Sequence, residues 1–172
     1  MKTGEVVIGK PVYTVDQGQH LGKVCDAYFD PEFRQLTGVV VDSEGGIAGK
    51  AMQLFSRNRD ERIIAIESIQ VLGVDALLLP NADAVVKSKV GQTLPGHILW
   101  SSIRGRTILG QDMKLATAGD VQVDDSLNVV GITLAKVLVD GKLKTVDIVP
   151  RAAIVHHGGP AGGEISIDLN QV

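Results

Sequence analysis

The chain has 172 residues, room for one ordinary domain or two very small ones. Valine (23) and isoleucine (14) together far exceed leucine (16), glycine reaches 20 and only six residues are aromatic. That mixture of stiff β-branched side chains and turn formers excludes a helical bundle, and 44% hydrophobic residues exclude wholesale disorder. Seventeen basic against 20 acidic residues give a net charge of −3, so no positive field draws in nucleic acid or anionic lipid from a distance. Cut after Pro80, the first part holds 8 basic and 11 acidic residues and the second 9 and 9; neither is a hidden basic domain.

In chain order, Pro11–Val15 is a short apolar-rich strand closed by the turn at Asp16–His20. Lys23–Phe29 is the next strand, ended by Asp30-Pro31-Glu32, where proline removes a ladder donor. Leu36–Asp42 is continuously apolar, which predicts cover on both faces of Val39-Val40-Val41. Ala51–Phe55 and Arg62–Ile66 read as a hairpin around the charged tip Arg57-Asn58-Arg59-Asp60-Glu61. Ile69–Leu72 and Ala76–Leu79 follow, joined across Gly73. Asp83–Val90 reads as a strand or a helical turn, and Gly91–Gly96 as a connection. Further strands are predicted at Ile98–Ile103, Met113–Thr117, Val121–Val123, Val129–Val139 and Leu143–Val149. A last pair, Ala153–His156 and Glu164–Leu169, flanks the glycine-rich turn Gly158–Gly163.

The order repeats. Gly22-Lys23-Val24, an acidic turn at Asp30 and Leu36-Thr37-Gly38-Val39-Val40 are followed later by Gly119-Asp120-Val121, Asp124-Asp125 and Val129-Val130-Gly131-Ile132. Each half ends in strand, glycine turn, strand. Gly9-Lys10-Pro11-Val12-Tyr13, Gly18, Leu21–Val24, Asp26, Asp30, Leu36–Asp42 and Ile69–Ala76 together resemble the PRC-barrel pattern, well over residues 5–80 and weakly over 97–169. The resemblance implies a barrel-like fold of about six strands and roughly 70–80 residues, here twice. It is a family that occurs in the photosynthetic reaction-centre H subunit, in a ribosome maturation factor and in free-standing prokaryotic proteins. Its motifs are turn glycines and core valines, so they speak of fold rather than chemistry.

Candidate chemistry is thin. Gly4–Pro11 nearly spells a phosphate-binding loop, but Pro11 stands where the magnesium-binding hydroxyl belongs, and Gly105–Gly110 continues with Gln111-Asp112 where the lysine and hydroxyl belong. His156-His157 are neighbours on a strand, whose side chains alternate between faces, so a shared metal is not expected. Ser101-Ser102 lack a recognisable base, and Asp26, Asp30, Asp124 and Asp125 read as turn caps. The single Cys25 reads as a small buried hydrophobe. Arg57, Arg59 and Arg62 form the most concentrated polar feature and are the candidate partner contacts, with Arg104 and Arg106 a smaller patch.

The expectation is therefore an all-β chain of two tandem small PRC-barrel-like barrels with little helix: residues 1–80, a linker at 81–96, and a divergent copy at 97–172. It is expected to be a cytoplasmic, non-enzymatic adaptor that uses no cofactor or metal. Its predicted partner is another protein or a second copy of itself, at a membrane-associated or cell-division assembly. A ribosome- or RNA-associated role is the alternative.

Overall fold

The computed structural model describes residues 1–42, 60–89 and 94–172. The chain packs into two compact units. The N-terminal unit comprises Val7–Tyr28 and Thr37–Pro95, and the C-terminal unit comprises Met1–Val6, Phe29–Leu36 and Gly96–Val172.

The N-terminal sheet is built from β1 (Pro11–Thr14), β2 (His20–Phe29), β3 (Leu36–Asp42), β4 (Asp60–Ala65), β5 (Val71–Leu72), β6 (Leu77–Leu79) and β7 (Val85–Lys89). These run in the order β5-β6-β1-β2-β3-β4-β7. The strand β6 lies parallel to β1, while β5–β6, β1–β2, β3–β4 and β4–β7 are antiparallel. Val39, Val40 and Val41 are all buried, as a continuous apolar run in the middle of a sheet requires. Val12, Val24, Ala27, Ile63, Ile64, Leu77 and Leu79 complete this core.

The C-terminal unit carries the short helix α1 (Thr3–Val6), the two-residue strand β8 (Ile98–Leu99) and a second helical turn, α2 (Trp100–Ile103). Its sheet is made of β9 (Thr107–Gly110), β10 (Met113–Val123), β11 (Val129–Val137), β12 (Ile148–Pro150), β13 (Ile154–His156) and β14 (Ile165–Ile167), in the order β12-β11-β10-β9-β14-β13. Here β14 is parallel to β9. The chain is thus all-β with little helix, in two sheets.

The two sheets share their connectivity down to single hydrogen bonds. In the first, Gly9 (φ 82°) donates to the Val24 carbonyl at 2.7 Å, and Val24 N–H returns to Lys10 at 3.0 Å. In the second, Gly105 (φ 85°) donates to Ala118 at 2.8 Å, and Ala118 N–H returns to Arg106 at 2.8 Å. Both glycines sit in the left-handed region that other residues enter only at a cost. Lys10 Nζ then donates to Gly73 O (2.8 Å), and Arg106 Nη1 to His157 O (2.9 Å), each on the loop after the strand that begins the closing hairpin. Short 3-10 turns, Ile66–Ser68 and Arg151–Ala153, follow the matching strands β4 and β12.

Four expectations need correction. First, the boundaries 1–80 and 97–172 cut the chain into consecutive segments, whereas Met1–Val6 and Phe29–Leu36 pack in the C-terminal unit. Thr3 Oγ1 donates to Val121 O at 2.7 Å, and Met1 carbonyl accepts from Val123 N–H at 2.8 Å; the terminus supplies partners that β10 needs. Second, the expected linker 81–96 contains β7, the strand alternative offered for Asp83–Val90, paired to β4. Third, Trp100–Ile103 is helical and Lys142–Thr145 a 3-10 turn, where strands were predicted. Fourth, Met113–Val123 is one strand, with register shifts around Ala118–Val121 absorbing the glycine that suggested a break.

Candidate interaction site: a cationic corner of the C-terminal unit

Two turns set the geometry. After β2, Asp30 Oδ1 accepts from the backbone N–H of Arg34 (2.6 Å) and Gln35 (3.1 Å). After β10, Asp124 Oδ1 accepts from Ser126 and Asn128, each at 2.9 Å. Both aspartates act as the turn caps their sequence contexts predict. In both turns an apolar residue occupies the left-handed region, Phe33 at φ 56° and Leu127 at φ 64°. Burial of the two side chains offsets that strain. The turns also bond to each other: Leu36 N–H donates to Leu127 O (2.9 Å) and Val129 N–H to Arg34 O (2.7 Å). Arg34 is thereby held at the surface.

Arg151, opening the 3-10 turn after β12, reaches the same place. Its Nε donates to Phe33 O (2.9 Å), Nη2 to Glu32 O (2.7 Å) and Nη1 to Ile154 O (3.4 Å). It clips carbonyls that the left-handed turn leaves without backbone partners. Between these groups lies an open groove of about 450 Å³ lined by Arg34, Asn128, Val129, Arg151 and Ala152.

Beside it, Arg106 is only 5% exposed. Its donors go to Ser102 O (2.8 Å), Ser102 Oγ (2.9 Å) and His157 O (2.9 Å), all neutral. Burial pushes its pKa down. The imidazole of His157 lies 6.1 Å from the Phe33 ring and stacks on His156 at 5.6 Å. His157 Nδ1 accepts from Gly159 N–H and His156 Nδ1 from Gly158 N–H, both at 3.0 Å, so the pair caps the start of the glycine-rich turn.

Burial holds the His157 pKa below 6.5, and His156, Arg106 and Arg151 add to the effect; a hydrogen bond to the Pro31 carbonyl opposes it. The folded state therefore binds fewer protons than the unfolded chain just below pH 6.5, and this contribution to stability is present above that pH and lost as pH falls. The Trp100 fluorescence melt of the C-terminal unit is expected to shift down between pH 7 and pH 5. In His157→Asn the shift should be smaller, and an unchanged shift would assign it to other groups.

The residues singled out in the sequence fall elsewhere. Arg57 and Arg59 lie outside the described residues. Arg62 sits within β4, half-buried, with Nη1 on Leu21 O at 2.9 Å. The neighbouring Glu61, expected at a solvated tip, is buried and accepts from Tyr28 Oη at 2.6 Å. Arg104 and Arg106 do not form a patch: Arg104 lies over the Trp100 ring at 5.6 Å while Arg106 is internal. Lys10, the lysine of the phosphate-loop look-alike, is engaged with Gly73 O. Among the described residues no three His, Cys, Asp or Glu side chains converge as a metal site would require.

Cys25 corrects another expectation. It points outward from β2 between buried Val24 and Ala27, and the residue is exposed. Its sulfur is nonetheless partly withdrawn from water and contacts Val40 O at 3.5 Å. Burial, then the charges of Asp42 and Asp26, push the thiol up to about 11. Since the thiolate is the nucleophile, maleimide labelling of the folded protein at pH 7.5 should run about a hundredfold slower than that of a free cysteine. Equal rates would contradict this.

The two sheets, with Asp30, Asp124, Lys10, Arg106 and Arg151 engaged on backbone carbonyls and amides, define an all-β protein of two units in which polar side chains shape turns. Residues 4–83 match the family model of the PRC-barrel domain. A search of curated proteins found no match.

Proposed function

We propose that this chain is a non-catalytic adaptor made of two PRC-barrel copies, the second divergent, which binds another protein or a second copy of itself. The observation that carries the reading is the recurrence of one scaffold in both units. The strand order, the parallel closing pair, the left-handed glycines and the capped aspartate turns of the matched segment all return after residue 97. The groups that could have served catalysis act instead as caps and clips: Asp30, Asp124, Arg106, Lys10 and Asp120, whose Oδ1 accepts from Trp100 Nε1 at 2.7 Å. A duplicated scaffold with its charges spent on turns offers surface rather than chemistry. Among the described residues no helix is long and apolar enough to cross a membrane.

Light scattering of the intact chain, joined to cross-linking and mass spectrometry in lysate of its source, tests the proposal. A stoichiometric partner or a stable dimer is expected. A monomer that cross-links to nothing would overturn it. Charge reversal of Arg57 and Arg59 belongs in the same experiment, with loss of the cross-linked species as the expected result if that segment contacts the partner. Co-sedimentation with ribosomal particles that fades with salt would favour the RNA-associated alternative instead.

A further inference from the structure

The groove of the C-terminal unit brings together two guanidinium groups from distant parts of the chain. Arg151 is fixed there by three carbonyls, which orient it without pairing its charge. Arg34 is exposed, and among the described residues its side chain makes neither a hydrogen bond nor an ion pair. Like charges so placed repel, and Arg34 accordingly disfavours the charged form of Arg151. Asp30 acts in the opposite sense on Arg151, but its Oδ1 is taken up by two backbone amides. Val129 and Ala152 add apolar lining, and Asn128, which also lines the groove, has its amide nitrogen on Asp124 at 3.3 Å.

We propose that this groove binds a carboxylate of a partner protein, carried by an extended acidic segment. Arg151 is the preorganised cation and Arg34 the exposed second one. The inference rests on the interaction reading above and names the chemistry of the partner. A planar guanidinium matches a carboxylate through paired N–H donors, and orienting one guanidinium in advance lowers the ordering cost of binding. The lining favours a carboxylate-bearing peptide over a nucleic acid. No aromatic ring lines the groove to stack a base, as a single-stranded nucleic acid would require.

The test is an NMR titration of the full chain, following the arginine Nε–Hε resonances. The probes are an acetylated, amidated tetraglutamate peptide, its tetraglutamine counterpart and a uridine oligonucleotide. Saturable shifts of Arg34 and Arg151 are expected with tetraglutamate alone, and Arg34→Ala should weaken that binding about tenfold. This variant keeps the turn, because Arg34 contributes only its backbone to it. Equal shifts from the glutamine peptide, tetraglutamate binding unaltered in Arg34→Ala, or a stronger response to the oligonucleotide would each overturn the proposal. Light scattering and cross-linking of the same samples separate the two failures. A partner retained by Arg34→Ala removes the groove but spares the adaptor reading, whereas no partner for the unaltered chain removes that reading itself.

Discussion

Replacing Arg106 with alanine is expected to destabilise the C-terminal unit by about 3 kcal/mol, seen as an earlier urea midpoint of Trp100 fluorescence. The side chain is nearly inaccessible and ties three elements together. Nε and Nη2 hold Ser102 in α2, and Nη1 holds the His157 carbonyl just beyond β13. Truncation leaves those acceptors without donors in a site too enclosed for easy rehydration, and removes the packed aliphatic stem. Lys10 occupies the matching position in the N-terminal unit, but it is half-buried and makes one bond, to Gly73 O. Lys10→Ala should therefore cost about 1 kcal/mol, followed by circular dichroism. Equal costs at the two positions would contradict the argument that Arg106 carries a heavier structural load than Lys10.

That asymmetry explains which parts of the molecule are legible in the sequence. Strands with at least five residues of apolar or alternating pattern, such as β2, β3 and β11, declare themselves because burial of a sheet face writes a period into the chain. The strand β9 does not. It has four residues, Thr107–Gly110, and takes its identity from β10 and from β14, which is more than fifty positions away. The likeness of the two sheets is legible at Gly38 and Gly131, which lie opposite Ala65 and Pro150 in the same relation to the next strand. Its register upstream is not. Pairing Gly22 with Gly119 follows residue identity, whereas the capped turns align Asp30 with Asp124, which sets Asp26 beside Asp120. The cationic corner is the least legible feature. Arg151 meets the turn at Phe33 across 118 residues of chain, and neither arginine lies in a charged run that would advertise it. The run that does, around Arg59, delivers Glu61 to the core and Arg62 to a backbone carbonyl. Local charge density reports solvation, while convergence is decided by long-range pairing.

The aligned glycines supply the second large effect. At Gly131 a methyl group would collide with the Val149 carbonyl oxygen and stand 2.8 Å from Ile148 Cγ1, so β11 and β12 must separate to admit it. At Gly38 the corresponding carbonyl, Ile64 O, lies 3.3 Å from the same methyl position, with Leu94 Cδ1 also at 3.3 Å. That crowding is met by a shift of a few tenths of an ångström against a flexible leucine tip. Alanine also restricts the unfolded chain, which favours folding by about 0.5 kcal/mol at either site. Gly131→Ala is therefore expected to destabilise by about 3 kcal/mol, since backbone atoms give way poorly, whereas Gly38→Ala should fall within about 1 kcal/mol of the unaltered protein. Urea midpoints read by Trp100 fluorescence for the first variant and by circular dichroism for the second decide the matter. Comparable losses at both glycines would mean that β3–β4 is packed as tightly as β11–β12, and that the second unit has not closed its sheet more firmly around the shared scaffold.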